Sequence, residues 1–339
     1  MESRVSPGSV DGIHAMDRIL VGPTASGKTA ISLELATRHD LEIISLDSMQ
    51  VYRGLPILTQ ALPESARLEV IHHLVGTIDP EEDYDTGRYV RDALLARAQA
   101  HSRGRNILFV GGTVLYYKAL AHGLAPLPPR DDRIRSGLEA RLQQEGSLSL
   151  WRELETADPH RSRKIHPNDA RRIIRALEIL KVTGRPPSSL MGPTENPALT
   201  PTFAVALQPE LEDLDQAIEQ RVVRMFEEGL VAEVKSLEKR IRDRSGAEAL
   251  SGSRPATILQ AVGVSTLRSY LAGEHELKGT REQIVRETRR LARKQMRAFQ
   301  KAPEIRELKV APGESTACLA DRVWTTFADM EMGRLSNHS

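Results

Sequence analysis

The chain has 339 residues, 40% of them hydrophobic and 27% charged, with a formal net charge of +1 at pH 7; this is an ordinary globular composition with room for about two domains, and overall charge singles out no partner. A single cysteine, Cys318, excludes an intrachain disulfide framework and a Cys-cluster metal site. No apolar run reaches the roughly 18 residues of a membrane span, so no membrane partner is expected and the cytoplasm is the expected location.

Residues 1–15, MESRVSPGSVDGIHA, lack the apolar core of a signal peptide and are expected as a disordered leader. A short apolar run, a strand pattern, then ends at Val21 and breaks into Gly22-Pro23-Thr24-Ala25-Ser26-Gly27-Lys28-Thr29. This octet fits G-x-x-x-x-G-K-T at each fixed position and runs on into a helix pattern to about His39, with Ile31, Leu33, Leu35 and Ala36 apolar. Strand, glycine turn and helix in that order form a phosphate cradle. The glycines let successive N–H groups point inward, and the helix adds its positive end. Lys28 supplies a mobile charge to the outer phosphate, and the Thr29 hydroxyl suits an octahedral Mg²⁺ that keeps most of its waters. The motif does not distinguish ATP, GTP or another diphosphate.

Leu41–Leu46 reads as a buried strand ending on Asp47. Ligands of doubly wound sheets sit beyond the carboxyl ends of the strands, which places Asp47-Ser48-Met49-Gln50 beside the phosphate loop. An acid there can bind Mg²⁺, take a proton from an acceptor, or simply cap the strand end. Residues 53–85 read as loop, and His72 and His73 lack a matching Cys or acidic cluster, so structural roles are expected for them. A helix pattern over Thr86–His101 precedes a strand at Ile107–Val110, then Gly111-Gly112-Thr113 and a helix over Val114–Ala121. The second glycine junction would again bring backbone amides and a hydroxyl to the same sheet edge.

From Leu124 the character changes. A proline-rich hinge leads into three helical patterns without a strand, rich in Arg130, Arg133, Arg135, Arg141, Arg161 and Arg163. In NDARRIIRALEILKVTG, Ile173, Ile174, Leu177 and Leu180 form an apolar stripe while Arg171 and Arg175 share another face. Such faces are ordinarily just solvated; the scarcity of acids over residues 161–175 is what points to phosphate-backbone contact. Phe203–Leu207 reads as a strand, so the chain returns to the sheet and residues 126–202 are an insertion. Helices are expected over 214–240, 256–271 and 281–300, the last with a basic stripe of Arg286, Arg290, Arg293 and Arg297 opposite Ile284, Leu291, Ala292, Met296 and Phe299. The expected fold is α/β: a P-loop NTPase-like parallel sheet core with helices on both faces, over 16–125 and 203–310, plus the inserted all-helical domain at 126–202. Residues 303–339 read as a mixed tail, the part from 311 lying outside the core.

Taken together, GPTASGKT at Gly22–Thr29, DSMQVYRGL at Asp47–Leu55, HHL at His72–Leu74, GGTVLYYKAL at Gly111–Leu120, PNDARRIIRALEI at Pro167–Ile179 and TRRLARKQ at Thr288–Gln295 resemble the tRNA dimethylallyltransferase family. The resemblance implies an enzyme that prenylates the adenosine 3′ of the anticodon. The loop would then hold the diphosphate of dimethylallyl diphosphate rather than of a nucleotide. It implies that Asp47 is the general base, that Lys28, Thr113 and Arg135 assist the transition state, and that Thr29 serves Mg²⁺. It also implies that Asp47-Ser48-Met49-Gln50 and Arg171-Arg172-Ile173-Ile174-Arg175 touch tRNA, the insertion gripping the anticodon stem-loop. A monomer is expected.

The chain departs from the family's usual pattern at Leu58-Thr59-Gln60-Ala61, where a lysine is missing, at Val262-Gly263-Val264 and at Arg297-Ala298-Phe299-Gln300. These changes bear on substrate choice rather than on the reacting groups. Three other readings compete: transfer to free adenine nucleotides, a small-molecule kinase with ATP in the loop, and a tRNA-binding protein without catalysis.

Overall fold

The computed structural model describes residues 17–62, 68–191, 198–199, 202–246, 250 and 256–336; the expected leader lies outside them. Short β-branched and leucine-rich runs form the strands β1 (Asp17–Val21), β2 (Leu41–Leu46), β3 (His72–His73), β4 (Asn106–Gly111), β5 (Thr202–Gln208) and β6 (Ile305–Lys309). They make one six-stranded sheet in the order β3-β2-β4-β1-β5-β6, with every pairing parallel. Central strands of such a sheet are covered on both faces and so read as continuous apolar runs. Accordingly Ile19, Leu20, Val21, Ile44, Leu46 and Phe109 are fully buried.

The register decides where a site can form. Val21 of β1 and Leu46 of β2 both pair with Gly111 of β4, so three strands end level. The loops after them, Gly22–Gly27, Asp47–Gln50 and Gly112–Thr113, therefore leave the sheet side by side. Gly111 is obligatory here: a Cβ would collide with the Leu46 carbonyl.

One face of the sheet carries α1 (Lys28–His39) and α11 (Thr316–Ser336), packed around Leu20, Ile31, Leu35, Val205 and Phe327. The other carries α2 (Thr86–Ser102), α3 (Val114–His122), α7 (Leu211–Glu227), α8 (Leu230–Ser245), α9 (Val264–Leu271) and α10 (Leu277–Gln300). Between α3 and β5 the chain builds α4 (Asp132–Glu145), α5 (Ser147–Ala157) and α6 (Ala170–Thr183) around their own core of Leu138, Leu150, Leu154, Ile173, Ile174 and Leu177. In this insertion Asp131 and Asp169 cap α4 and α6 by accepting the N–H groups of Ile134 and Arg172, and Asp158, at the end of α5, accepts the Arg161 N–H of the turn that follows.

Several expected elements are redrawn. The helix expected over 214–240 breaks at Gly229, whose φ of 102° ends α7 and starts α8. The helix expected from 256 begins as a 3₁₀ turn, Thr257–Gln260, and resumes only after Gly263. The mixed tail holds the edge strand β6 and the helix α11. Trp324 of α11 stacks on His39 at 3.5 Å between ring centroids, with the Arg18 guanidinium 4.8 Å above its ring. Among the described residues no helix is long and apolar enough to cross a membrane.

Candidate active site

The loop after β1 is shaped by local backbone demands. Gly27 has φ 81° as the N-cap of α1, and Ala25 holds φ 64°, a left-handed conformation that costs about 1–2 kcal/mol for a residue with a Cβ. A Cβ on Gly22 would press at 3.2 Å on the Leu207 carbonyl oxygen, so glycine there eases the close passage of the loop over β5. The Lys28 ammonium folds back over the loop, donating to the Pro23 carbonyl and, at 3.3 Å, to Ser26 Oγ. Burial and then the neighbouring Arg221 guanidinium push it down to about 7, the Asp47 carboxylate acting the other way. An anion in the cradle would favour its charged form.

Asp47 caps its own turn. Its Oδ1 accepts the N–H groups of Met49 at 2.8 Å and Gln50 at 3.3 Å, which leaves Oδ2 uncommitted to the turn. Thr113 braces that turn from the next loop: its Oγ1 accepts the Ser48 N–H at 3.0 Å, and its own N–H donates to Leu46 O at 3.2 Å. Gln50 is held by Ser45, whose hydroxyl donates to the Gln50 carboxamide at 2.9 Å.

A cleft of about 570 Å³ opens between these loops, lined by Thr24–Thr29, Asp47, Gln50, Gly111, Gly112 and, from across the cleft, Arg221 and Arg224 of α7 and Gln295 of α10. Arg221 is pushed down by burial and by Arg224 and held up by Asp47; a guanidinium keeps its charge regardless. An anion cradle, a carboxylate and converging cations thus share one hollow. No group of three or more His, Cys, Asp or Glu side chains among the described residues is placed to hold a metal. The donor set of Thr29 plus a bound diphosphate nevertheless suits Mg²⁺, which binds through few protein oxygens and retains water.

Arg221 and Gln295 were not singled out as site residues by sequence reasoning. Gln295 belongs to a motif noted above but falls on the buried side of α10, and Arg221 is one of many arginines on amphipathic helices. Their placement comes from tertiary packing alone.

Other expected site residues lie elsewhere. Arg135 is in the insertion, where its Nε donates to Glu139 at 2.9 Å and a second nitrogen lies 3.7 Å from Glu178; it does not line the cleft. Ile173 and Ile174 are 0% and 3% exposed and form the insertion's core, so their side chains are closed to tRNA. Arg175 is spent on structure, donating to Pro128 O at 2.6 Å and pairing with the fully buried Glu178 at 3.0 Å. Arg171 and Arg172 remain on the surface, the first bonded to Gln260 and the second 3.3 Å from Asp169. On α10, Arg293 pairs with Asp215 at 2.6 Å, whereas Arg286, Arg290 and Arg297 are exposed. His73 bonds the buried Glu42 at 2.6 Å, and Glu42 also takes Arg103, a tie between β2, β3 and the residue that ends α2.

The family model for IPP transferase matches residues 50–302. The chain belongs to the IPP transferase family. The tRNA dimethylallyltransferase 2 of Geotalea uraniireducens is 38% identical over 305 residues, 88% of this chain and 94% of its own. That of Halorhodospira halophila is 40% identical over 279 residues, 82% and 87% of the two chains. Among solved structures, the full-length tRNA isopentenylpyrophosphate transferase of Bacillus halodurans matches with a TM-score of 0.64 and 32% identity, over 96% of this chain and 100% of that one. A eukaryotic dimethylallyltransferase caught acting on tRNA matches with a TM-score of 0.71 and 27% identity, over 95% and 79%. The parallel-sheet α/β fold is thus the IPP transferase fold, and the family is one of prenyl-transferring enzymes.

Proposed function

We propose that this IPP transferase moves the dimethylallyl group of dimethylallyl diphosphate to N6 of the adenosine 3′ of the anticodon in tRNA, releasing diphosphate. The observation that carries the reading is the level ending of β1, β2 and β4, which sets the anion loop and Asp47 into one cleft. The N6 lone pair attacks the allylic CH₂ carbon, the C–O bond breaks, and its electron pair leaves on the diphosphate. The N6 proton becomes acidic as the new C–N bond forms and passes to Asp47, whose Oδ2 is uncommitted while Oδ1 is held by Met49 and Gln50.

The loop amides, Lys28 and Arg221 hold the leaving diphosphate, their fixed charge placed where negative charge develops. The Thr29 hydroxyl would hold Mg²⁺, which would supply further charge neutralisation on the leaving group. Thr113 keeps the Asp47 turn in register through Ser48. A base can reach the cleft only after leaving its stack, which suits an unpaired anticodon loop. Arg171 and Arg172 on the insertion and Arg286, Arg290 and Arg297 on α10 are the exposed cations available to the tRNA backbone. The enzyme is proposed to act as a monomer in the cytoplasm.

The test is incubation with Mg²⁺, dimethylallyl diphosphate and unmodified tRNA, followed by mass spectrometry of the digested nucleosides. An adenosine heavier by one dimethylallyl group is expected. Prenylated AMP in a parallel tube, with unmodified tRNA unchanged, would move the acceptor to free nucleotides; no product in either would overturn the reading.

A further inference from the structure

We infer that Gln295 is a positioning residue for this transfer: its one carboxamide fixes the diphosphate loop against the loop that holds Asp47 in place. The inference rests on the function proposed above. Gln295 sits on α10, is 8% exposed and reaches the cleft. Its Oε1 accepts the Thr24 N–H of the anion loop at 2.9 Å, and its Nε2 donates to the Gly112 carbonyl at 2.9 Å. An N–H on one side and a C=O on the other fix which end of the amide points where. The three partners are far apart in sequence, so no local turn makes this connection.

The space for the amide comes from a missing side chain. A Cβ on Gly112 would lie 2.6 Å from Gln295 Nε2 and 3.1 Å from the Gly22 carbonyl oxygen. Gly112 is followed by Thr113, which accepts the Ser48 N–H, and Ser48 follows Asp47. The carboxamide therefore joins Thr24, Gly112, Thr113 and Asp47 into one set of mutually held backbones. If Gln295 only filled the interior, an apolar residue would pack beside Ala292 and Phe299 without the cost of burying two polar atoms. Instead both polar atoms are bonded to the two loops of the site. The same helix carries the exposed arginines of the proposed tRNA face, so Gln295 is also where that face meets the chemistry.

The test uses Gln295→Leu and Gln295→Glu in the full chain, with kcat, KM for dimethylallyl diphosphate, tRNA affinity, thermal stability and binding of inorganic diphosphate with Mg²⁺ all measured. The Leu variant is expected to lose about 10²-fold in kcat, as small misplacements of reacting groups do, with tRNA affinity unchanged. The Glu variant separates positioning from packing by its pH profile. A protonated carboxyl supplies one donor and one acceptor and can make both bonds, whereas the carboxylate repels the Gly112 carbonyl. Its activity relative to wild type is expected to rise as pH falls.

Wild-type kcat in the Leu variant, a kcat loss that only follows a loss of tRNA affinity, or a Glu profile parallel to wild type would each overturn the inference. If the Leu variant does not fold, the Glu comparison across pH decides it within one protein. If the wild type transfers nothing, the proposed function falls, and Gln295 is judged on inorganic diphosphate. The Leu variant is then expected to bind it about tenfold more weakly, and equal binding overturns the role.

Discussion

The Thr113 hydroxyl accepts the Ser48 N–H at 3.0 Å, joining the loop after β4 to the loop after β2 one residue beyond the proposed base. Replacing Thr113 by Val keeps the shape and removes the acceptor, leaving a half-buried N–H unpaired at a cost of about 1–3 kcal/mol. Much of that cost falls on the orientation of Asp47. Thr113→Val is expected to lower kcat by about 10–10²-fold with little change in tRNA affinity, since the acceptor is not a phosphate contact. Steady-state kinetics and a tRNA binding isotherm check both halves; a fall in tRNA affinity alone would contradict the bracing role.

Lys28 makes diphosphate binding pH-dependent. Its ammonium is pushed down to about 7 by burial and then by Arg221, and a bound anion favours the charged form. Below about 7 the lysine is already protonated and binding is at full strength. Above it, binding must take up a proton, so affinity falls by up to about tenfold per pH unit until the liganded lysine itself titrates. Calorimetry of inorganic diphosphate with Mg²⁺ from pH 6 to 9, in buffers of different ionisation enthalpy, should record that uptake. Lys28→Met should bind weakly and lose the lysine's share of the pH dependence; an unchanged proton uptake in this variant would remove Lys28 from the account.

The arginines of α6 divide by environment. Arg172 is exposed and Arg171 bonds a neutral glutamine, so Arg171→Ala with Arg172→Ala should weaken tRNA binding and reduce the slope of log affinity against log salt by about 1–2. Arg175→Ala instead exposes the fully buried Glu178 to loss of a partner and frees Pro128 O, and should cost about 2 kcal/mol of stability. A salt series and a thermal melt separate the two. A stable Arg175→Ala protein with a reduced salt slope would return that residue to the tRNA surface.

How much of this was legible varies with the range of the interactions involved. The cradle at Gly22–Thr29 and the acid at Asp47 were readable because strand, glycine turn and helix follow one another within a few residues. The tail was not. β6 is an edge strand with only Ile305 buried, and α11 finds its partner in α1, nearly three hundred residues earlier; yet Leu319, Ala320, Val323 and Phe327 do fall on one helical face. Arg175 shares a basic face with Arg171 in projection, and it is its bonds to Pro128 O and the buried Glu178 that tie it down. Arg221 is indistinguishable in sequence from its neighbour Arg224, and folding alone aims it at Asp47.

The central claim is that Asp47 takes the N6 proton at the cleft where the three loops meet. Single-turnover transfer by Asp47→Asn, with saturating tRNA and dimethylallyl diphosphate and a parallel tRNA binding isotherm, tests it most directly. The account predicts a rate about 10²–10⁴-fold below wild type with tRNA still bound. Transfer at the wild-type rate would contradict it.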